Sequence, residues 1–234
     1  MKKENIVFIG IVIVLIVGLF IIISFLPGKK DEPVKEDLKN INYSVEGNEL
    51  SMNQYNTENP VVALHIKNYG SVVMELYPDV APNTVNNFIS LVKSGFYDGN
   101  TFHRLMPGFV LQGGDPTGTG TGGPGYTIKG EFTNNGFTNN LKHTKGVVSM
   151  ARGSYSMDSA GSQFFIMLGD SDYLDGDYAA FGKVIDGMDI VEKIEKSERV
   201  SDASTGKLQT NLVLEKAVID LKGKEYPEVE KISE

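Results

Sequence analysis

Apolar residues follow three different patterns along this chain. From Ile6 to Leu26 the chain is continuously apolar and carries no charge. Residues 27–59 are polar and charged, without apolar periodicity, and from Pro60 onward short apolar runs alternate with glycine-rich turns. We therefore predict an N-terminal tail at 1–5, a transmembrane helix at 6–26, a flexible linker at 27–59, a folded domain at 60–221, and a charged C-terminal tail at 222–234 that frays.

The first apolar segment has the length of a membrane-spanning helix. Its roughly 21 residues, at about 1.5 Å each, span roughly 30 Å, the thickness of the hydrocarbon core of a bilayer. A buried helix of a soluble protein would show a polar stripe, and this segment has none. A cleaved signal peptide is the alternative, but the apolar stretch is too long and no small-x-small cleavage site follows it. The segment therefore predicts an uncleaved signal anchor.

The charges beside this segment do not decide its orientation. Lys2 and Lys3 precede the span, while Lys29 and Lys30 follow it, so the positive-inside comparison is balanced. Long domains that follow a span are translocated largely regardless of that balance. We therefore predict a single-pass protein of the cell membrane whose folded domain is extracytoplasmic.

The folded domain contains many predicted strands. Alternating apolar residues at 62–66 and 72–76 flank Asn68–Gly70, which is typical of a β-hairpin. Further apolar runs between glycine-rich turns lie at 109–112, 147–150, 163–168, 179–184 and 212–219. Many short strands favour a mainly β fold, a closed antiparallel barrel.

Two segments of the folded domain show helical spacing. The first follows Pro82, which suits a first helical turn, and ends near Gly95. The second runs from Met188 to Lys196. The side chains predicted to face inward are Val85, Phe88, Ile89, Val92, Ile190, Val191 and Ile194.

Composition and charge exclude several classes of function. The net charge of −8 and the pI near 5.0 argue against nucleic-acid binding, which normally needs a basic face. The absence of cysteine excludes disulfides, thiolate zinc sites and cysteine nucleophiles. His65, His103 and His143 show no metal-ligand spacing. We therefore predict neither a metal nor a cofactor.

Several short motifs match known sites only in form. Gly118-x-Gly120-x-x-Gly123 fits a dinucleotide fingerprint, but Pro124 follows it where the motif requires a helix N-terminus. Ser90–Lys93 fits Ser-x-x-Lys without its companion motifs, and no G-x-S-x-G is present. The usual hydrolytic and nucleotide-binding sites are therefore not predicted.

One arginine occurs in an unusual context. The chain has three arginines, and Arg104 lies inside the apolar stretch FHRLMPGFVLQGGD. We place Arg104 in the loop that precedes a strand at 109–112, on which Val110 and Gln112 share a face. By the same alternation, Gln163 and Phe165 share one side of their strand and Phe164 lies on the other.

These segments resemble the cyclophilin family of peptidyl-prolyl cis/trans isomerases. The resemblance covers about residues 60–221 and rests on FHR-x-x-PGF-x-x-QGGD, the later SMA, GSQFFI, LDG and FGKVIDGMDIVEKI, in the order and approximate spacing of the family. It implies an eight-stranded antiparallel barrel capped by two helices. It also implies catalysis of X–Pro bond rotation in proline-containing peptides.

The resemblance also implies roles for individual residues. Arg104 would donate a hydrogen bond to the prolyl nitrogen, Gln112 would bond the substrate carbonyl, and Phe109 would help to hold the proline ring. The implied catalytic residues are Arg104, Gln112 and Phe109. The implied substrate-binding residues are Val110, Met150, Ala151, Arg152, Gln163, Phe165, Tyr173, Leu174 and Tyr178, with Arg152 acting through its backbone alone.

Four positions depart from the common family pattern. Tyr173 stands where a tryptophan is familiar, Val110 where methionine is common, Tyr178 where histidine is common, and Arg152 where asparagine is frequent. Cyclosporin-type ligands that hydrogen-bond the indole are therefore expected to bind weakly. The other changes are expected to tune affinity without removing catalysis.

Three hypotheses of function follow. The first is a membrane-tethered prolyl isomerase that assists the folding of unfolded or exported proteins. The second is a non-catalytic module that binds proline peptides in the same groove. The third is a purely structural barrel in a membrane assembly, which would neither bind such peptides nor accelerate their isomerisation.

Overall fold

The computed structural model describes residues 42–45 and 48–232. The predicted tail at 1–5, the predicted transmembrane helix at 6–26 and the predicted linker as far as residue 41 lie outside the described residues. Within the described part of the chain, no helix is long and apolar enough to cross a membrane.

The described chain contains eleven strands and two α-helices. The strands are β1 Asn42–Val45, β2 Asn48–Ser51, β3 Val61–Ile66, β4 Gly70–Leu76, β5 Thr101–Met106, β6 Val110–Gly113, β7 Val147–Met150, β8 Phe164–Met167, β9 Ala180–Asp186, β10 Val200–Asp202 and β11 Lys207–Asp220. The helices are α1 Pro82–Lys93 and α2 Met188–Ser197, and short 3-10 turns lie at Met52–Gln54, Thr133–Asn135 and Asp172–Leu174.

Eight of these strands close into an antiparallel barrel. Their order is β11, β3, β4, β9, β7, β8, β6 and β5, and β5 pairs back with β11. β10 adds a short hairpin strand to β11, while β1 and β2 pair only with each other. The predicted mainly β barrel with two helices is therefore confirmed.

The hairpin of β3 and β4 is buried on both faces. Leu64 and its neighbours on one face join the main core. On the other face, Val61 and Ala63 pack in a small cluster with Met52, which is 0 % exposed, and with Tyr55. The predicted linker includes residues 52–55. The folded domain therefore begins earlier than predicted, because the side chains of Met52 and Tyr55 cover the outer face of β3.

Helix α1 packs against β11, and α2 packs against β4. The four side chains predicted to face inward from α1 are all buried. The buried Glu131 carboxylate accepts hydrogen bonds from the backbone N–H groups of Asn83 and Thr84 at 3.0 and 2.7 Å. These are N–H groups that no helical carbonyl can satisfy, and a negative charge there is favourable to the helix dipole.

The C-terminal tail folds back onto the domain, in contrast to the predicted fraying. Tyr226 and Val229 pack against the main core. Asn83 exchanges two side-chain hydrogen bonds of 2.9 Å with the backbone of Glu230. Ile232 then pairs with Thr127 through backbone hydrogen bonds of 2.7 and 3.1 Å. The charged composition of the tail does not predict these contacts, because most of them are made by the side chains of Tyr226 and Val229 and by backbone hydrogen bonds.

Candidate active site

The strand register brings the key polar and aromatic residues into one row. Arg104 on β5 lies opposite Gln112 on β6, Gln112 lies opposite Phe165 on β8, and Phe165 lies opposite Ser149 on β7. Side chains of paired residues share a face of the sheet. The row therefore places a guanidinium, an amide and an aromatic ring side by side on the outer surface of the barrel.

Arg104 lies within strand β5, and the prediction of a loop at this position was wrong. Its Nε–H donates to the Thr205 backbone carbonyl at 3.0 Å, and its Nη1 donates to Gln112 Oε1 at 3.1 Å. The Phe109 ring lies 5.8 Å from the guanidinium carbon. Burial lowers the pKa of the Arg104 guanidinium, but an arginine titrates so far above neutral pH that the group stays protonated.

A chain of amide hydrogen bonds continues away from Arg104. Gln112 Nε2 donates to Gln163 Oε1 at 3.0 Å. Gln163 Nε2 in turn donates to the backbone carbonyls of Gly120 and Gly122 at 3.0 and 2.9 Å. The structure therefore brings Gln112 and Gln163 together, as predicted, and links both to the glycine-rich loop.

Asp115 organises this glycine-rich loop. Its carboxylate accepts backbone N–H bonds from Thr117, Thr119, Gly120 and Gly122 at 2.6–3.1 Å. Burial alone would raise the pKa of Asp115, but these hydrogen bonds outweigh it and lower the pKa to about 2. Four backbone N–H groups of the loop are thus turned toward a carboxylate of this chain.

An apolar cluster lies beside the row, outside the main core. Val110, Phe165 and Leu174 are 1 %, 5 % and 7 % exposed within this cluster. The remaining members are Met106, Phe109, Leu141, Val147, Ala151, Met167, Tyr178 and Ala180. The predicted pocket residues Phe109, Val110, Phe165 and Leu174 are therefore brought together.

Tyr173 and Tyr178, which stand where the family commonly has tryptophan and histidine, lie at the edges of this cluster. Tyr173 is 66 % exposed and stacks on Phe109 with ring centroids 5.9 Å apart. Tyr178 meets the Phe165 ring edge to face at 5.8 Å. Both tyrosines therefore reach the site.

Met150 is not part of this surface. Its side chain is 1 % exposed and packs in the main core, opposite Phe164. Strand alternation is the reason, because the neighbouring Ser149 already faces outward in the row with Phe165. The Met150 side chain therefore does not line the groove, in contrast to its predicted substrate-binding role.

Arg152 uses its side chain as well as its backbone. Its Nε–H donates to the Asp177 carbonyl at 2.8 Å, and its guanidinium carbon lies 5.3 Å from the Phe132 ring and 5.0 Å from the Tyr178 ring. The prediction of a backbone role alone is incomplete, because this guanidinium ties the segment after β7 to the loop that carries Tyr178.

A cavity of about 510 Å³ continues from the amide end of the row. It extends from Gln112 and Gln163 along the glycine-rich segment 120–127 to Ala151 and Tyr155. Apolar cluster, amide pair and cavity thus follow one another along the surface, with space for an extended peptide. Across the described residues, no group of three or more histidine and carboxylate side chains is placed to bind a metal ion.

Sequence reasoning missed a buried hydrogen-bond chain behind the apolar cluster. His143 is 2 % exposed, its Nδ1 lies 2.9 Å from Asp175 Oδ1, and its Nε2 lies 3.0 Å from Ser149 Oγ. A carboxylate only accepts, so Nδ1 carries the proton and Nε2 accepts from Ser149. The ring also stacks on Phe165 at 6.2 Å. Spacing gives no signal for this chain, because its members are brought together only by the fold.

The burial of His143 and His103 leads to a prediction of how stability depends on pH. Burial lowers the pKa of His143, with the Asp175 hydrogen bond opposing, and burial also lowers the pKa of His103. The unfolded chain then binds more protons than the folded chain once the pH falls below about 6.5, so stability present above that pH is lost on acidification. The folded pKa of Asp115 is about 2, so its effect on stability, a further loss on acidification, begins only when the pH falls below the ordinary aspartate value near 3.8.

We therefore expect the free energy of unfolding to fall between about pH 7.5 and about pH 5.5. Urea denaturation at several pH values measures this change. A double variant, His103→Gln with His143→Gln, should show a shallower dependence over the same range. Stability that is constant or rises on acidification would contradict the assignment.

Comparisons with known proteins agree with this geometry. The family model described as "Cyclophilin type peptidyl-prolyl cis-trans isomerase/CLD" matches residues 61–219. Peptidyl-prolyl cis-trans isomerase B of Bacillus subtilis is 49 % identical over 127 residues, which cover 54 % of this chain and 85 % of that protein. A peptidyl-prolyl cis-trans isomerase of Helicobacter pylori is 42 % identical over 159 residues, covering 67 % of this chain and 89 % of that protein.

A solved structure shows the same likeness in three dimensions. The cyclophilin type peptidyl-prolyl cis-trans isomerase of Cryptosporidium parvum, determined in the presence of the dipeptide Ala-Pro, superimposes with a TM-score of 0.61 at 34 % identity. The match covers 68 % of this chain and 98 % of that one. The closed barrel and the row from Arg104 to Phe165 agree with these matches. Because the family model matches more than half of the chain, the chain belongs to the cyclophilin-type peptidyl-prolyl cis-trans isomerases.

Proposed function

We propose that this chain accelerates X–Pro bond rotation with Arg104 as the donor to the prolyl nitrogen. The observation that carries this role is the placement of Arg104: its guanidinium is fixed by Thr205 and Gln112 at the edge of the apolar cluster. A fixed donor beside an apolar pocket is what a prolyl ring with a developing lone pair needs.

The chemistry explains why an arginine suits this place. Rotation of a peptide bond meets a barrier of about 18–20 kcal/mol because amide resonance is lost at the twisted state. In the planar substrate the prolyl nitrogen's lone pair is delocalised, and at the twisted state it localises and can accept a hydrogen bond. A donor aimed at that nitrogen therefore stabilises the transition state more than the substrate.

The neighbouring groups give the peptide its orientation. Phe109, Val110, Phe165 and Leu174 offer the apolar surface for the proline ring. Gln112 Nε2 gives one of its two N–H groups to Gln163, which leaves the other for a substrate carbonyl, and the backbone of Arg152 would pair with an extended peptide. The Cryptosporidium relative was determined with Ala-Pro present, which supports a small residue before proline as the first substrate to test.

Exchange NMR on a peptide containing an Ala-Pro bond tests this function. A catalytic amount of the full chain should accelerate cis/trans exchange, while the peptide signals near proline shift. Uncatalysed exchange takes tens to hundreds of seconds, so the acceleration is easily resolved. Signal shifts without acceleration would instead support a non-catalytic module that binds proline peptides. The absence of both effects would support a structural barrel.

The place of action in this proposal is the outer surface of a cell membrane, and the clients are unfolded or exported proteins. The support is the uncharged stretch Ile6–Leu26 ahead of the folded domain. Protease added to intact cells should then degrade the domain. A domain that is degraded only after lysis would place it on the cytoplasmic side.

Cyclosporin-type ligands should bind weakly in this proposal. Tyr173 offers a phenol at the position where an indole N–H is familiar in the family, and its ring already stacks on Phe109. Titration of the chain with cyclosporin, followed by loss of isomerase activity, measures the affinity, and Tyr173→Trp is expected to increase it.

A further inference from the structure

The turn between β10 and β11 touches Arg104 from the side away from Gln112. The Thr205 carbonyl accepts the Arg104 Nε–H at 3.0 Å, and the next carbonyl, that of Gly206, accepts the backbone N–H of Leu105 at 2.8 Å. Lys207 pairs with Arg104 in the β11–β5 register. Two consecutive carbonyls of one turn are thus bonded to the strand that carries the proposed catalytic group.

These contacts determine which guanidinium donors remain. An arginine side chain has five N–H donors in a rigid plane. Arg104 gives its Nε–H to Thr205 and one Nη1–H to Gln112 Oε1. Two bonds at different nitrogens fix both the position and the plane of the group, and three donors are left for a peptide.

The turn has the internal bonds of a defined structure. Asp202 Oδ1 accepts hydrogen bonds from the Ser204 backbone N–H at 2.9 Å and from the Ser204 hydroxyl at 2.6 Å. The Gly206 N–H closes the turn on the Asp202 carbonyl at 2.8 Å. The Thr205 carbonyl is therefore presented by an ordered turn.

Gly206 permits the close approach of this turn to β5. Its φ is +76°, and a Cβ atom there would lie 2.6 Å from Met106 Sδ and 2.7 Å from the Leu105 carbonyl oxygen. A side chain at position 206 would thus push the turn away from β5 and carry the neighbouring Thr205 carbonyl with it. Glycine is required here by contact as well as by backbone angle.

We propose that residues 202–206, the Arg104-positioning turn, set the plane of the catalytic guanidinium through the Thr205 main-chain carbonyl. This inference rests on the proposed role of Arg104. The turn does not touch the reacting atoms; it positions the group that does. Loss of the Thr205 bond leaves Arg104 charged but held by Gln112 alone, so the plane of the guanidinium is no longer fixed and its donors are misaligned with the prolyl nitrogen.

The test is Gly206→Ala with Gly223→Ala as its matched control. Gly223 has a similar φ of +71°, but its added Cβ would have no atom within 4 Å, and it lies in the tail. Gly206→Ala should reduce kcat by about tenfold or more, since small misplacements of a reacting group are costly, with little change in KM. Gly223→Ala should keep the wild-type kcat.

A second measurement follows the hydrogen bond between the Arg104 Nε–H and the Thr205 carbonyl independently of activity. The chain has three arginines, so the NMR signals of their Nε–H groups are easily assigned. Hydrogen exchange at the Arg104 Nε–H should become about tenfold faster in Gly206→Ala, because about tenfold corresponds to loss of a bond of moderate strength. The Arg152 Nε–H, bonded to Asp177, is the internal reference and should not change.

Two results would overturn the proposal. One is faster exchange at Arg104 with unchanged kcat, and the other is reduced kcat with unchanged exchange. If Gly206→Ala does not fold, Asp202→Ala loosens the same turn without adding atoms and carries the same expectations. Failure of the proposed function itself is distinguishable, because Arg104→Ala would then keep its activity whatever the exchange measurement shows.

Discussion

Arg104→Ala is expected to reduce kcat/KM for an Ala-Pro peptide by about a hundredfold or more, equal to about 3 kcal/mol of transition-state stabilisation. The reason is that the fixed N–H donors beside the apolar cluster are lost, while the apolar surface for the ring remains. Gln112 also loses the donor to its Oε1, which lies 3.1 Å from Arg104 Nη1. Exchange NMR at several peptide concentrations separates kcat from KM.

Two further variants make this test specific. Arg104→Lys keeps the positive charge but removes the planar fork that bonds Thr205 and Gln112 together. We expect it to be nearly as slow as Arg104→Ala. Arg199→Ala removes an exposed arginine on the same domain and should keep full activity. Unchanged turnover in Arg104→Ala would remove Arg104 from the mechanism.

The sequence predicts the outer row well where strand alternation is regular. Val110 and Gln112 share a face as predicted, and the Arg104–Gln112–Phe165 register brings the predicted residues together. Met150 shows the limit of prediction by motif. The same alternation that places Ser149 outward places Met150 in the core, and the motif alone does not contain that information.

Strand β5 was missed because its buried positions do not alternate. Phe102 and Leu105 are buried three residues apart, and polar residues His103 and Arg104 lie between them. The register of β5 with β11 shifts at this point, which breaks the period of two. A pattern of this kind reads as a loop, although the strand is needed to close the barrel.

Contacts made by the main chain cannot be predicted from residue types, because nearly every residue has the same backbone N–H and carbonyl groups. The acceptor for the Arg104 Nε–H is the backbone carbonyl of Thr205, and the N–H groups bonded to Asp115 also belong to the backbone. Side chains bonded only through the fold, such as His143 and Ser149, are hidden for a similar reason. The sequence thus identifies the groups that we propose to contact the peptide better than it identifies the groups that position them.

The alternation along β8 places two adjacent phenylalanines on opposite faces of the sheet. Phe164 is 0 % exposed and packs against Phe88, Tyr97 and Phe102 with ring centroids 5.3, 5.5 and 6.0 Å away. Phe165 lies on the opposite face, in the outer apolar cluster. A single strand therefore contributes one ring to the core and the next to the proposed proline pocket.

Phe164→Ala is expected to lower the free energy of unfolding by about 3–5 kcal/mol, because it leaves a cavity in the aromatic core. Since small domains are stable by only about 5–15 kcal/mol, the variant should be marginal but folded in the cold, with kcat close to wild type. Urea denaturation measures the loss. Phe164→Leu, which fills more of the space, should recover part of it.

Phe165→Ala should show the reverse pattern. Its ring is 5 % exposed and lies against Tyr178 and His143 on the outer face of the barrel. The partly buried side chains of that cluster can collapse into part of the space, so the stability loss is expected to be smaller than that of Phe164→Ala, at about 2–3 kcal/mol. The peptide loses the floor of its pocket, so kcat/KM should fall by about tenfold or more, in line with the burial of a ring-sized apolar surface. Equal effects of the two substitutions on both quantities would contradict the placement of the pocket on the outer face.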